Sequence, residues 1–273
     1  MPTVADVLAA LERRFPAALA EDWDVNGLAV GSPLDDVTHV HLAVDPTLAV
    51  AREAIAAGAQ LLVTHHPLML RGVTTVAANT AKGAVVNELA RAGVALANAH
   101  TNADHAPGGV ADALAEALGI AVTGPLVPLA DSPTLGTGRI GTLPSGVTLG
   151  EFANAVAAAL PATAHGVRIA GDLDATVHSV AVVGGAGDAF LDAARAAGVD
   201  VYVTADLRHH VALDARELAH LGDGRPFLVD VSHFASEWAW LAAAGAYLEH
   251  ELGVTASVST LTTDPWTARA VAP

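Results

Sequence analysis

The sequence predicts an α/β protein of two lobes, in which helices pack on parallel sheet. Predicted strands alternate with helices of about 11 residues, which is typical of βαβ units and parallel sheet. Apolar residues make up 52% of the 273 residues but aromatic residues only 4%, so the apolar mass is mostly Ala, Val and Leu. A strand–helix–strand pattern also occurs twice, which indicates two units of like design.

The first half of the chain contains the clearest elements. Thr3 and Asp6 form a capping-box pattern, with Asp in place of Glu or Gln, and predict a helix that runs to about Arg14. Buried strands are predicted at Val37–Val44, Gln60–Thr64 and Val94–Asn98. Helices are predicted at Thr47–Ala57, Ala81–Ala92 and Gly109–Leu118, closed by Gly58, Gly93 and Gly119.

Gly and Pro recur throughout residues 124–146, which predicts the crossing into a second domain. A helix at Leu149–Leu160 and strands near Val167–Ile169 and His178–Val183 are predicted to follow. We therefore predict that residues 1–123 together with 225–273 form a domain that carries the candidate metal ligands described below. Residues 124–224 are predicted to form the second α/β domain.

The internal repeat lies in residues 57–64 and 197–204, which read Ala-Gly-Ala-Gln-Leu-Leu-Val-Thr and Ala-Gly-Val-Asp-Val-Tyr-Val-Thr. A strand, a turn and an Ala-rich helix precede each copy. Polar residues follow each copy, His65 and His66 in the first and residues 206–210 in the second. Ligands of open α/β sheets bind beyond the carboxyl ends of the strands, so both polar clusters mark candidate sites.

Charge and composition exclude several classes of function. The chain has 29 acidic and 13 basic residues and a net charge of −16, which disfavours DNA or RNA as the main partner. Cysteine is absent, which excludes disulfides, thiolate metal sites, iron–sulfur clusters and a Cys nucleophile. The N-terminus has no basic region followed by an apolar core, and no uncharged apolar run is long enough to span a membrane. We expect a cytoplasmic protein without a membrane partner.

Three groups of polar residues at predicted strand ends are candidate metal ligands. His65-His66-Pro67 follows one strand, and imidazole is the commonest metal ligand, although the pair could also merely cap the strand. Asp104 follows the next strand within His100-Thr101-Asn102-Ala103-Asp104, where a helix-capping role is the alternative. His233 and Glu237 follow the strand Phe227–Val231 at a spacing of four, which places both on one helix face, and a surface ion pair is the alternative.

Together these groups supply three imidazoles and two carboxylates. A sulfur-free N/O set suits Zn²⁺, Fe²⁺, Mn²⁺ or Ni²⁺, and one Asp and one Glu can each bridge two cations. The sequence therefore predicts two divalent metal ions per chain. Four other histidines have no acidic motif around them and are interpreted as structural or surface residues: His39, His41, His165 and His178.

Two further groups are candidates for substrate contact. The turn that contains Gly184, Gly185 and Gly187 could bind a phosphate through backbone N–H groups, although a tight structural turn is the alternative. Asp206, His209 and His210 close the second repeat, and they could transfer protons or contact substrate unless they only cap a helix. We name His100 and His210 as candidate catalytic residues.

These motifs resemble the GTP cyclohydrolase 1 type 2 homologue family, also called Nif-three-like dinuclear-metal hexameric proteins. The resemblance covers nearly the whole chain and depends most on the His-His-Pro, His-Thr-x-x-Asp and His-x-x-x-Glu motifs in this order. The segments that carry it are Trp23-Asp24-Val25-Asn26-Gly27-Leu28, Thr64-His65-His66-Pro67, His100-Thr101-Asn102-Ala103-Asp104, Gly184-Gly185-Ala186-Gly187, Tyr202-Val203-Thr204-Ala205-Asp206, His233-Phe234-Ala235-Ser236-Glu237 and Asp264-Pro265-Trp266.

The resemblance implies that the three imidazoles and two carboxylates named above ligate two metal ions, with Asp104 and Glu237 as bridges. It also implies an α/β fold of two linked α/β domains with mixed sheets flanked by helices, and a toroidal hexamer whose sites face an internal cavity. The chain departs from the family pattern at Val25 and Asn26, which are swapped, and at Ala205 and Ser232, where the family often has Gly. None of these changes removes an implied ligand.

Two main functions are compatible with such a site. The first is a metal-dependent hydrolase that acts on a nucleotide or a phosphorylated small molecule, in line with the family name. The second is a non-enzymatic metal-binding oligomer that buffers or inserts metal or serves as a regulatory scaffold. A nucleotide-binding regulator without chemistry is a third interpretation, which depends on the glycine turn alone.

Overall fold

The structure is a computed structural model that describes residues 1–270. The chain divides into two compact units: unit 1 consists of Met1–Ala106 and Leu241–Thr263, and unit 2 consists of Pro107–Trp240 and the segment that begins at Asp264. Each unit contains a sheet flanked by helices, so the predicted α/β fold class is confirmed.

The unit boundaries do not coincide with the predicted domain limits of 1–123 with 225–273 and 124–224. His233 and Glu237 lie in unit 2, whereas the sequence interpretation grouped them with His65 and His66. Residues 271–273 of the predicted first domain lie outside the described residues.

Ten α-helices are found in residues 1–270. They are α1 (Val4–Arg14), α2 (Leu48–Ala56), α3 (Ala81–Ala92), α4 (Thr101–His105), α5 (Val110–Ala117), α6 (Leu149–Ala159), α7 (Leu191–Ala196), α8 (His209–His220), α9 (His233–Trp238) and α10 (Trp240–Leu252). Short 3₁₀ turns occur at Ala17–Leu19 and Asp188–Phe190. The predicted capping box is present, because the Thr3 side chain accepts from the Asp6 N–H and the Asp6 carboxylate accepts from the Thr3 N–H. None of these helices combines the length and the apolar character needed to cross a membrane.

The same part of the chain contains thirteen strands. They are β1 (Gly27–Val30), β2 (His39–Ala43), β3 (Leu61–Thr64), β4 (Ala95–Asn98), β5 (Ala121–Gly124), β6 (Val127–Leu129), β7 (Ser132–Thr137), β8 (Arg139–Thr148), β9 (Arg168–Ala170), β10 (Thr176–Ala186), β11 (Val201–Ala205), β12 (Phe227–Val231) and β13 (Thr255–Val258).

Unit 1 is built on a five-stranded sheet of order β1-β4-β3-β2-β13. Strand β1 is antiparallel to β4, and the other neighbours are parallel. Helices α2 and α3 pack on this sheet around a core that includes Val50, Leu62, Leu89 and Leu96. Because β2, β3 and β4 run in the same direction, the residues that follow them lie at one edge of the sheet.

Unit 2 contains a six-stranded mixed sheet of order β5-β8-β10-β11-β12-β9 and a separate β6–β7 hairpin. Its central strands β10, β11 and β12 are parallel, and β8 and β9 are antiparallel to their neighbours. The Gly- and Pro-rich residues 124–146 form strands within this unit instead of the predicted crossing between domains.

The two predicted βαβ units are confirmed, one in each sheet. Strands β2 and β3 are parallel neighbours connected through α2, and β10 and β11 are parallel neighbours connected through α7. Both units therefore place the residue after the second strand at a carboxyl edge, where the candidate site residues lie.

Candidate metal centre

His65 and His66 follow β3 directly in unit 1. The His65 side chain is fully buried, and its Nδ1 donates to the carbonyl oxygen of Ala99 at 3.0 Å. The Nδ1 of His66 donates to Oδ1 of Asp45 at 2.7 Å. Asp45 follows β2, and its other carboxylate oxygen accepts from the hydroxyl of Thr263.

His100 lies two residues beyond β4 and precedes α4. Its Nδ1 donates to Oδ1 of Asp24 at 2.7 Å, and its backbone N–H donates to the side-chain oxygen of Asn26 at 2.7 Å. Thr101 adds an N–H donor at 3.0 Å and a hydroxyl donor at 2.5 Å to the second Asp24 oxygen. Burial alone would raise the pKa of Asp24, but the hydrogen bonds from His100 and Thr101 outweigh it and hold the pKa well below its ordinary value. Asn26 therefore has a defined role despite its swapped position in the sequence motif.

Asp104 lies on α4, and its carboxylate faces the imidazole of His65. Its Oδ1 is 3.6 Å from Nε2 of His65. Two donors that each lie ~2.0–2.2 Å from one ion fall within about 4 Å of each other, so this separation suits a shared divalent cation.

The imidazoles of His65, His66 and His100 form one cluster. Each offers a ring nitrogen, and the three nitrogens lie within 4.8 Å of one another. The His100 ring centroid lies 5.2 Å from that of His65 and 5.4 Å from that of His66. Their Nδ1 atoms donate to a carbonyl or to a carboxylate, so Nε2 carries the lone pair in the neutral ring. Metal-ligating histidines are commonly oriented by such contacts.

His233 and Glu237 form a second group in unit 2. His233 is the first residue of α9, directly after β12 and Ser232, and its Nε2 lies 3.0 Å from Oε1 of Glu237. Its Nδ1 donates to Oδ2 of Asp206 at 2.7 Å. Asp206 follows β11 and has a positive φ of 57°, a left-handed conformation that Asp tolerates better than most residues. The parallel pairing of β11 with β12 brings the two strand ends together.

The electrostatic field of this second group favours positive charge. Burial would lower the pKa of His233, but the carboxylates of Glu237 and Asp206 outweigh that effect and raise the pKa to about 11. The hydrogen bond from His233 lowers the pKa of Asp206. A neutral imidazole with two carboxylates is also a good environment for a divalent cation.

The glycine turn packs closely against His233 and Glu237, and a side chain on Gly185 would not fit there. A Cβ atom on Gly185 would clash with Oε1 of Glu237 and lie 3.2 Å from Nε2 of His233. The Gly185 N–H donates to the Ser236 hydroxyl at 2.9 Å, and the Gly187 N–H donates to the carbonyl of Ala205 at 3.4 Å. A Cβ on Gly187 would clash with Thr204. Phosphate contact through Gly184, Gly185 and Gly187 stays a prediction, whereas close packing against His233 and Glu237 is observed.

The remaining candidate residues lie outside these groups. His210 is exposed in the first turn of α8, and its ring lies 5.1 Å from that of His209. Its catalytic role stays a prediction. His41 is buried and hydrogen-bonded to Ser257 and Glu53, so a structural role fits it.

Asp24 and Asp45 are site residues that sequence reasoning missed. Asp24 lies within one of the sequence motifs but has no role assigned from it, and Asp45 lies outside all of them. Asp45 comes two residues after β2, so the same rule that selected His65 could have found it.

The donor set fits a metal, because it combines oriented imidazoles with carboxylates and contains no competing lysine. The fold and these clusters therefore define a two-unit α/β protein with groups of histidines and carboxylates that could hold a metal ion. A family model described as Duf34/NIF3 (NGG1p interacting factor 3) matches residues 2–265. The chain belongs to this family, as its sequence motifs indicated.

Individual relatives agree with this assignment. A protein of Streptomyces coelicolor named "GTP cyclohydrolase 1 type 2 homolog" is 48% identical over 98% of this chain and 95% of the relative. The crystal structure of a Bacillus cereus protein related to NIF3 has 27% identity and a TM-score of 0.87, covering 97% of this chain and 98% of that one. A Staphylococcus aureus structure, of the hypothetical protein SA1388, has 27% identity and a TM-score of 0.88 over 98% and 99% of the two chains.

Proposed function

We propose that the chain binds two divalent metal ions and is a metal-dependent hydrolase that acts on a nucleotide or a phosphorylated small molecule. The proposed ligands are those of the sequence analysis: His65, His66, Asp104, His233 and Glu237. The observation that carries the proposal is the orientation of the imidazoles, because each of the three ligand histidines donates from Nδ1 to a carboxylate or carbonyl. Such contacts fix the ring and raise its basicity as a ligand.

The substrate class is supported by the names of relatives. "GTP cyclohydrolase 1 type 2 homolog" is the name of the Streptomyces coelicolor protein, and a Mycobacterium tuberculosis protein that is 36% identical has the same name. The proposal is broader than GTP because that name is the only support for this particular nucleotide.

The chain's own residues would orient ligands and move protons. Bound divalent cations would supply an activated water and polarise the substrate group that is attacked. Asp45 and Asp206 accept from Nδ1 of His66 and His233, so Nε2 is the atom that is left to ligate a cation when each ring is neutral. His100, held by Asp24 beside the two histidines, is positioned to accept or return a proton at Nε2.

The metal is proposed to be Zn²⁺, Fe²⁺, Mn²⁺ or Ni²⁺, since availability decides among these ions at N/O sites. A homo-hexamer and a cytoplasmic location are also proposed; the first comes from the family resemblance and the second is the expectation stated in the sequence analysis.

The test is a measurement of metal content in protein purified without chelator. We expect about two ions per wild-type chain, as the dinuclear proposal requires. Asp104→Ala and Glu237→Ala should each lose metal, whereas Asp174→Ala, which removes an exposed carboxylate, should not. A wild type that binds no metal after incubation with each of the four ions would overturn the proposal.

Turnover separates the two classes of function. Metal-loaded protein should hydrolyse at least one member of a panel of nucleotides and phosphoesters, and Glu237→Ala should abolish that activity. Full metal occupancy without turnover on the panel would favour the metal-binding oligomer over the hydrolase.

A further inference from the structure

Trp23 has an exposed indole and directly precedes Asp24, whose carboxylate accepts a hydrogen bond from His100. Trp23 is 58% exposed, although it is part of a loop whose other side chains make many hydrogen bonds. By contrast, Trp240 is almost fully buried. A large exposed aromatic ring in an ordered loop leaves apolar surface in contact with water, which is a feature of binding surfaces.

Trp23 lies against the imidazole cluster of unit 1. The centroids of its ring and the His100 ring are 5.9 Å apart, and the two planes are inclined at 78°. The His100 ring in turn contacts the rings of His65 and His66, at centroid distances of 5.2 Å and 5.4 Å. The indole is therefore placed at the border of the candidate metal cluster and is not an isolated surface residue.

The backbone next to Trp23 is anchored. The carboxylate of Asp24 accepts from the N–H groups of Val25 at 2.8 Å and Thr101 at 3.0 Å, and from the side chain of Asn26 at 2.9 Å. These bonds connect the loop to the start of α4. A ligand that contacts the indole would consequently not have to order this loop, which reduces the entropic cost of binding.

We propose that Trp23 is a stacking platform for the nucleobase of a nucleotide substrate. An indole face stacks well on any nucleobase and requires no charge complementarity. This matters in a chain of net charge −16, in which 13 basic residues stand against 29 acidic ones, because contact with the base requires no cation. The inference rests on the proposed function, since it assigns the base-binding part of that same site.

The test compares two ligands that differ in the base. Guanosine 5′-monophosphate and ribose 5-phosphate share the sugar and the phosphate, and calorimetric titration of the metal-loaded protein measures the affinity for each. We expect wild type to bind the nucleotide about 10-fold more tightly, in line with the stacking of one base. Trp23→Ala should remove this preference, whereas Trp23→Phe, which retains an aromatic ring, should keep most of it.

Leu34→Ala is the matched control, because it removes an exposed apolar side chain of the same unit and should leave the preference unchanged. Metal content and oligomer size are measured for every variant. Equal binding of the two ligands by wild type, or a preference that survives in Trp23→Ala, would overturn the inference and leave the proposed function intact. A change of oligomer size in Trp23→Ala would assign the indole to a subunit interface and also overturn it.

Two results would reach further. Failure of the metal-loaded wild type to bind either ligand would overturn both the inference and the nucleotide part of the proposed function. Failure of wild type to bind metal would overturn the metal centre itself, and with it this inference. The metal measurement distinguishes these two cases.

Discussion

Gly185 lies so close to Glu237 that a Cβ atom at position 185 would clash with Oε1 of that carboxylate. Gly185 also has a positive φ of 67°, which L-residues with a side chain rarely adopt. The glycine is therefore required twice, once for its backbone conformation and once for the room that it leaves beside His233 and Glu237.

Gly185→Ala should displace the Glu237 carboxylate and weaken metal binding by at least about 10-fold, the size of effect seen when the surroundings of metal ligands are disturbed. The measurement is a metal titration monitored by calorimetry. Gly198→Ala is a matched control, because Gly198 has a φ of 66° but a Cβ there would meet nothing within 4 Å. Both variants should unfold more easily through backbone strain, and equal metal affinities in the two would contradict the prediction.

Asp45→Asn should weaken metal binding by unit 1 without unfolding it. The amide can still accept from Nδ1 of His66, but it lacks the negative charge that raises the basicity of the ring. We expect affinity to fall by about 10- to 100-fold. The check is a competition titration against a coloured chelator, with Asp174→Asn as the control for loss of one surface carboxylate. Unchanged affinity in Asp45→Asn would show that this carboxylate does not tune His66.

The sequence predicted the central strands of both sheets well because local signals define them, whereas β1, β5, β8 and β13 were not predicted. The helix over Ala81–Ala92 was predicted with its observed bounds, and it is closed by Gly93 in the left-handed conformation. Apolar runs identified β3 and β4 to within one residue. Caps and short apolar runs are properties of neighbouring residues, so a single sequence contains them.

The contacts within the site were less predictable because they depend on which strands are neighbours. Asp45 and His66 are 21 residues apart, and Asp206 and His233 are 27 residues apart. Each pair meets only because two parallel strands, β2 with β3 and β11 with β12, lie side by side in register. Strand order is a long-range property that residue patterns alone leave open.

The Gly- and Pro-rich stretch was misread for a related reason. Glycines in residues 124–146 indicated a connection, but Gly136 and Gly141 instead allow neighbouring strands to approach closely. A Cβ on Gly141 would clash with the backbone of Ala121 in the paired strand β5. Glycine in a strand can mark close backbone approach as well as a turn, and the sequence does not distinguish the two.

Asp112 and Arg139 form an ion pair in unit 2 in which the guanidinium is buried and the carboxylate is partly exposed, and loss of the carboxylate should be costly. Nε and Nη2 of Arg139 donate to the two Asp112 oxygens at 2.6 Å and 2.9 Å, and the arginine is 4% exposed. Asp112→Ala would leave the guanidinium without its carboxylate, and we expect the free energy of unfolding to fall by about 3 kcal/mol. Urea unfolding measures this value.

The exposed pair of Asp192 and Arg195 provides the comparison for that experiment. Its side chains are 85% and 51% exposed, so Asp192→Ala should change the free energy of unfolding by less than about 0.5 kcal/mol. The double variant Asp112→Leu/Arg139→Met should recover much of the lost stability, because it removes both charges together. Equal losses in the free energy of unfolding for Asp112→Ala and Asp192→Ala would contradict the prediction that burial of the arginine makes the loss of its carboxylate costly.

Asp200 should make the stability of unit 2 depend on pH. Its carboxylate accepts from the N–H groups of His178 at 2.7 Å and Ser179 at 2.8 Å and forms an ion pair with Arg225. Burial alone would raise the pKa of Asp200, but these contacts outweigh it and lower the pKa. A carboxyl with a lowered pKa in the folded state stabilises that state above its unfolded pKa of ~3.9, and the contribution is lost as pH falls through the folded value.

Asp200→Asn should therefore reduce the free energy of unfolding by about 2 kcal/mol at pH 7, the usual scale for hydrogen bonds to a charged group. The difference from wild type should shrink as pH is lowered below ~4, because protonated Asp200 then resembles Asn. Urea unfolding of both proteins between pH 7 and pH 3 measures the difference, with Asp174→Asn as the control for removing an exposed carboxylate. A difference that stays constant over this range would show that the contacts of Asp200 do not depend on its charge, contrary to the account given for its lowered pKa.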